Sequence, residues 1–151
     1  MKNIHIECLP DEHLVKKIGF TRKDITHHQG KSKALYVLSK SINQFALVDE
    51  DPGSPKTSYE KTLSFIDESE GIKLYSDKSG NKILYLTGKL EDWIIATCKK
   101  EKLSVSKFGL PGTPDQLHDT INQKLPNFEK LLSELISRSL RRAEVINNRC
   151  V

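Results

Sequence analysis

The run Phe45-Ala-Leu-Val-Asp49-Glu-Asp51-Pro-Gly53 drives four apolar residues straight into three consecutive acids and then a Pro-Gly turn. A short apolar run bounded by turn residues reads as a buried strand. The acids therefore fall where a strand leaves the core, which in open α/β sheets is where ligands bind. Asp49 and Asp51 are two apart, so in extended backbone they share one face, and paired carboxylates repel unless a cation neutralises them. Glu7 closes a second alternating run, Ile4-His-Ile6, and Asp11 follows it. Oxygen ligands of this kind suit a hard ion, Mg2+ or Mn2+, rather than a thiolate metal. Because Mg2+ binds through one or two carboxylates plus substrate phosphate, phosphoryl transfer is the natural reaction class. Glu7 is read either as a metal ligand or as a general base whose pKa its neighbours raise. Each acid also has a structural reading: a solvated turn for Asp49 and Asp51, a polar strand end for Glu7, and a first-turn acid facing the helix dipole for Asp11.

Gly30-Lys31-Ser32 invites a P-loop reading, but that pattern requires Gly at position 25, where the chain has Ile25. A phosphate seated on a helix N-terminus beside Lys31 is the weaker role that remains, against a plain glycine turn with a solvated lysine. His27 and His28 are adjacent and point opposite ways from a strand, so they are poor joint ligands. Leu90-Glu91-Asp92-Trp93 has the acids of a helix start; it also brings Glu91 into consideration as a metal ligand, with Trp93 in the core. Glu50, between the two aspartates, faces away from them. Arg138, Arg141, Arg142 and Arg149 fall on one helical arc. That arc is either a solvated face balanced by Glu129, Glu134 and Glu144 or a phosphate-binding stripe with salt-sensitive affinity.

These residues must be positioned by alternating elements. Residues 3–8 and 23–28 read as strands, with a helix from Pro10 to Gly19 between them carrying Leu14, Val15 and Ile18 inward. A helix from Gly30 to Asn43 presents Ala34, Leu35, Leu38 and Ile42 and leads into the strand 44–49. Residues 57–69 read as a helix with Tyr59, Leu63 and Ile66 on one side, and 72–75 and 82–86 as strands around a turn. Helices follow at 90–101, from Thr113 and from Pro126, the last with Phe128, Leu131, Leu132, Leu135 and Ile136 on its apolar face. The alternation predicts an α/β fold with a mostly parallel sheet flanked by helices.

At 151 residues the chain is expected to form one domain, 1–151, with a core over about 3–100 and a helical extension over about 113–149. Twenty-four basic against twenty acidic side chains give a net charge of +4, which permits a polyanionic partner without demanding one. Cys8, Cys98 and Cys150 are an odd number without metal-ligand spacing, as expected of reduced cytoplasmic thiols. No segment approaches the about 20 apolar residues of a membrane span, and the N-terminus has no signal-length apolar stretch. A cytoplasmic location with no membrane partner is expected.

Glu7 after strand one, Gly30-Lys31 before a helix and Asp49-Glu-Asp51 after strand three together resemble a Toprim domain, the topoisomerase–primase catalytic fold, over roughly residues 3–100. The chain is most similar in pattern to small relatives of the overcoming-lysogenisation-defect (OLD) family nucleases. There, a Glu followed four residues on by Asp resembles Glu7 and Asp11, Gly-Lys-Ser heading a helix resembles 30–32, and a Leu-Glu-Asp-aromatic helix start resembles 90–93. The resemblance implies a Rossmann-like sheet and Mg2+- or Mn2+-dependent cleavage of DNA or RNA. It also implies action beside a separately encoded ATPase, sometimes in phage defence. The expected function is thus a metal-dependent nuclease, with Glu7, Asp49, Asp51 and Lys31 catalytic and Glu7, Asp11, Asp49, Asp51 and Glu91 around the metal. The alternative is a non-catalytic subunit of the same fold that binds an ATPase or nucleic acid. A phosphatase of the haloacid-dehalogenase kind would require its DxD on the first strand, which places it third. An uncovered face on the last helix is a candidate homodimer interface.

Overall fold

The computed structural model describes residues 3–138. The element order is β1 (Ile4–Ile6), α1 (Leu9–Lys17), β2 (Ile25–His27), α2 (Lys31–Ser39), β3 (Phe45–Asp49), α3 (Ser58–Lys61), β4 (Ser64–Ser69), β5 (Ile72–Ser76), β6 (Lys82–Leu86), α4 (Leu90–Lys100), α5 (Pro114–Ile121) and α6 (Leu125–Arg138). Six strands form one sheet in the order β2-β1-β3-β6-β5-β4. The first four in that order run parallel, and β5 and β4 are added antiparallel. This is an α/β fold with a mixed, mostly parallel sheet flanked by helices, compatible with a Rossmann-like arrangement.

The period-2 geometry of strands sorts the core into two layers. Ile4, Ile6, Phe45, Leu47, Leu84 and Leu86 share one hydrophobic layer with Leu14 and Val15 of α1, Trp93 and Ile94 of α4, Leu117 of α5 and Phe128 and Leu131 of α6. Ala46, Val48, Ile83 and Tyr85 lie in the other layer, under Ala34, Leu35 and Leu38 of α2. Strands β1, β3 and most of β6 are therefore covered on both faces and read as near-continuous apolar runs, as parallel strands do. The turn between β5 and β6 is tied by Asp77, whose Oδ1 accepts the Ser79 and Asn81 amides at 2.8 and 2.9 Å. Asn81 is fully buried and accepts the Gln44 amide at 2.9 Å while donating to Leu38 O and Ser41 O at 3.0 and 2.9 Å. It thereby joins this turn to the segment entering β3.

Several boundaries differ from the sequence expectation. The helix expected over 57–69 is only the short α3, and Ser64–Ser69 is the edge strand β4, paired antiparallel with β5. Tyr59, Leu63 and Ile66 mimic a helical period. However, the Thr57–Glu60 capping box supports a single turn, and the sheet edge then offers Phe65 and Ile66 a ladder that their shapes favour. Tyr59 and Leu63 still pack on the second layer, whereas Ile66 is exposed. The second strand shrinks to 25–27 because Asp24 caps a preceding 3-10 turn through the Thr21 amide and hydroxyl. Helix α2 ends at Ser39, so Ile42 is exposed rather than on its apolar face. The strands expected at 72–75 and 82–86 pair antiparallel with each other in the β5–β6 register. Cys8 and Cys98 are free thiols. Arg141, Arg142, Arg149, Glu144 and Cys150, with the helical extension beyond Arg138, lie outside the described residues. Among the described residues no helix is long and apolar enough to cross a membrane.

Candidate acidic cleft at the carboxyl edge of the sheet

From β1 the chain crosses through α1 to β2 on one side, whereas from β3 it moves towards β6 on the other. The carboxyl ends of β1 and β3 are thus a topological switch point, where the diverging connections leave a crevice. Glu7 follows β1, Asp49 ends β3, and Gly30 opens α2. A cavity of about 230 Å³ lies here, and Glu7, Lys31, Asp49 and Asp51 all line it, together with Ser32 and Glu60. The pair Asp49 and Asp51 meets the cavity for a reason other than the extended backbone expected. Strand β3 stops at Asp49, and Asp51 has φ of +43°, a left-handed turn conformation. Its Oδ2 accepts the Ser54 hydroxyl at 2.7 Å.

Three carboxylates stitch this rim through backbone amides. Asp11 Oδ2 accepts the Glu7 amide at 3.3 Å, Glu7 Oε2 accepts the Asp49 amide at 2.9 Å, and Asp49 Oδ1 accepts the Leu90 amide at 2.9 Å. The ends of β1 and β3 and the start of α4 are thereby linked in series. Among the described residues no second protein hydrogen bond falls on the Glu7 or Asp49 carboxylate, so each keeps one oxygen for another partner.

Crowding shows in the protonation equilibria. Burial first, then the Asp49 charge, push Glu7 up from its ordinary 4.5 to about 7, against the opposing pull of the Asp49 amide and Lys31. Asp49 is pushed up from 3.8 to about 6 by burial and then by the Glu91 charge, with the Leu90 amide opposing. Asp11, 1% exposed, is held well above the usual carboxylate range by burial and by the charges of Asp49 and Glu7. Carboxyl groups that titrate near neutrality in a cleft are of the kind that functional sites use.

Lys31 supplies the positive charge. Its ammonium donates to Glu50 O at 2.9 Å, stands 3.4 Å from Glu60 Oε2, and lies over the Tyr85 ring, 5.1 Å from the centroid. Burial alone would raise Glu60; the Thr57 amide, the Tyr85 hydroxyl and Lys31 outweigh it and hold this carboxyl below its ordinary range. Sequence reasoning missed Glu60. Thr57-x-x-Glu60 is a legible capping box, but a capping box gives no sign that the second Glu60 oxygen reaches a lysine from α2. The Glu50 carboxylate is outside the residues lining the cleft and pairs with Lys73. The first turn of α2 has no side-chain cap, and Gly30 precedes it with φ of +98°.

The remaining expected residues are placed elsewhere. Asp11 lies beneath the cleft rather than lining it; its Oδ2 also takes the Cys8 thiol at 3.2 Å, and its Oδ1 has no partner. Glu91 lines a separate cavity of about 310 Å³ between α4 and α5, where His118 Nδ1 stands 3.1 Å from its Oε1. His28 is turned inward to His5, ring nitrogen to ring nitrogen at 2.7 Å, while His27 is exposed. Trp93 is in the core and donates to Glu70 O at 3.0 Å. Among the described residues no group of three or more His, Cys, Asp or Glu side chains stands ready to hold one metal ion. Comparison with protein-family models, with curated proteins and with solved structures found no match.

Proposed function

We propose that the protein is a metal-dependent phosphodiesterase acting on nucleic acid, with Mg2+ or Mn2+ held between Glu7 and Asp49. The observation that carries this reading is the 2.9 Å link between the Asp49 amide and Glu7 Oε2, across 42 residues of sequence, at the wall of a cavity that Asp51 and Lys31 share. Two carboxylates plus a substrate phosphate satisfy Mg2+ without a third protein ligand, so this pair fits the ion. When bound, the ion polarises the phosphate and acidifies a water.

The residues of the chain do the rest. Lys31 and the uncapped amides of the first turn of α2 attract phosphate oxygens. Asp51, fixed by Ser54, adds negative charge on the ion's side of the cleft. Glu7 and Asp49 each keep one carboxylate oxygen outside the amide links, and those oxygens would hold the ion. The test is cleavage of single- and double-stranded DNA and RNA with Mg2+ or Mn2+, by wild type and by Asp49→Ala. Metal-dependent cleavage reduced at least about 100-fold by the substitution is expected. Cleavage that survives Asp49→Ala overturns the assignment.

A second reading rests on a specific observation: each acid already caps a backbone amide, and Lys31 is already neutralised by Glu60. On that reading the protein is a non-catalytic, Toprim-like subunit that binds nucleic acid or a separately encoded ATPase, alone or as a homodimer. It predicts no cleavage of any of these substrates with either metal.

A further inference from the structure

We propose that the substrate is single-stranded nucleic acid, gripped by stacking one base on Tyr36 beside the acidic cleft. This rests on the phosphodiesterase reading and names its substrate class. Tyr36 is 65% exposed, an unusual place for a large ring on a helix whose neighbours Leu35 and Leu38 are buried. It borders a third cavity, of about 260 Å³, between α2 and α3, lined also by Ser32, Ser39, Thr57 and Tyr59. Ser32 lines this cavity and the acidic cleft alike, so the two are neighbours along α2.

Helical geometry sets the step between them. Ser32 and Tyr36 are one turn apart on the same face, so the ring stands about one 5.4 Å turn along the axis from the residue that also edges the acidic cleft, of the order of one nucleotide. Lys40 follows one turn later, with its ammonium 5.7 Å from the Tyr36 ring centroid. Charge at Lys31 within the adjoining cleft, a π-face at Tyr36 and charge at Lys40 over that ring combine cations with an aromatic platform, as single-strand binders do. The walls between are aromatic and hydroxyl-bearing, suited to an unstacked base. A duplex keeps its base faces stacked inside, where Tyr36 cannot reach them.

The test uses fluorescein-labelled 12-mer DNA and RNA oligonucleotides, single-stranded and as duplexes, titrated by anisotropy in EDTA against the full chain. Tyr36→Ala is expected to weaken single-strand binding roughly 5- to 100-fold, with Tyr36→Phe close to wild type. Duplex binding and the salt dependence should stay unchanged, because no phosphate contact is lost. Tyr36 is exposed, so folding is not at stake. Equal single-strand affinity for wild type and Tyr36→Ala, or equal weakening towards single strand and duplex, overturns the proposal. If Asp49→Ala still loses cleavage in those cases, the phosphodiesterase reading stands without it. Failure of the wild type to bind any single-stranded oligonucleotide overturns the proposal as well, and the cleavage assay with metal decides the phosphodiesterase reading separately.

Discussion

Replacing Glu7 by Gln should make the protein more stable at pH 8 and flatten its stability against pH. Glu7 has a folded pKa of about 7 against an ordinary 4.5. Between those values the folded chain keeps a proton that the unfolded chain has released. The stability this contributes is fully present below about pH 4.5 and is lost as pH rises through 7. The linkage slope reaches about 1.36 kcal/mol per pH unit, so wild type should lose about 2.5 kcal/mol from this group between pH 5 and pH 8. Asp49, raised to about 6, acts in the same direction and weakens once its neighbour is uncharged. His28, held below its ordinary 6.5 by burial and then by His5, acts in the opposite direction in both proteins and cancels in the comparison. Gln retains the acceptor for the Asp49 amide, so the stitch at the rim survives. Urea unfolding at pH 5, 6.5 and 8 measures the effect. Parallel stability profiles for wild type and Glu7→Gln would refute the reasoning. Mg2+ extends the test: a site filled at ten times its Kd adds about 1.4 kcal/mol. This gain should appear in wild type at pH 8, fade at pH 5 as the acids protonate, and be absent from Glu7→Gln.

Lys31→Met leaves Glu60 buried without its counter-charge and should cost about 2 kcal/mol in urea unfolding, part of which Lys31→Met/Glu60→Gln recovers in a double-mutant cycle. Asn81→Leu removes the amide that joins the β5–β6 turn to the segment entering β3 and should cost about 3 kcal/mol by the same measurement. Gly88→Ala would set a Cβ 2.9 Å from Asp92 Oδ2 at a φ of +75°, and a loss of about 1–3 kcal/mol in thermal or urea unfolding is expected. Asp11→Asn removes a carboxyl that must take up a proton on folding at pH 7, so it should raise stability there, show less of this gain as pH falls towards 4, and leave the Mg2+ gain intact. Loss of the Mg2+ gain would place Asp11 among the ligands.

Much of the acidic rim was legible because it depends on periodicities. Apolar runs that end in acids mark strand ends, and strand–helix alternation sends the first strands in one direction, so Glu7, Lys31 and Asp49 had to share an edge. Contacts set by register or side-chain reach were not legible. Residues 57–69 carry a helical spacing that sheet pairing overrides, so β4 was missed, and with it the single turn of α3 that brings Glu60 to Lys31. Glu91 stands at the right helix start, yet the docking of α5 turns it to His118, and no local pattern encodes that docking. Asp11 satisfies a motif spacing, but the first turn of α1 buries it and takes it out of the cleft.

The amide links and the proposed metal role use different oxygens. A carboxylate has two oxygens with about four lone-pair sites, and one amide N–H fills one of them. The Asp49 amide on Glu7 and the Leu90 amide on Asp49 fix where the carboxylates stand without exhausting them. A fold that needed these groups only as caps would gain as much from Asn or Gln, which accept the same hydrogen bonds without mutual repulsion. Instead the chain keeps ionisable acids whose charged forms oppose one another, a cost that rises with pH and that a divalent cation would offset. Persistent charge where a neutral acceptor would serve the architecture better is the physical reason to look for a cation at this rim rather than to treat the acids as capping groups alone.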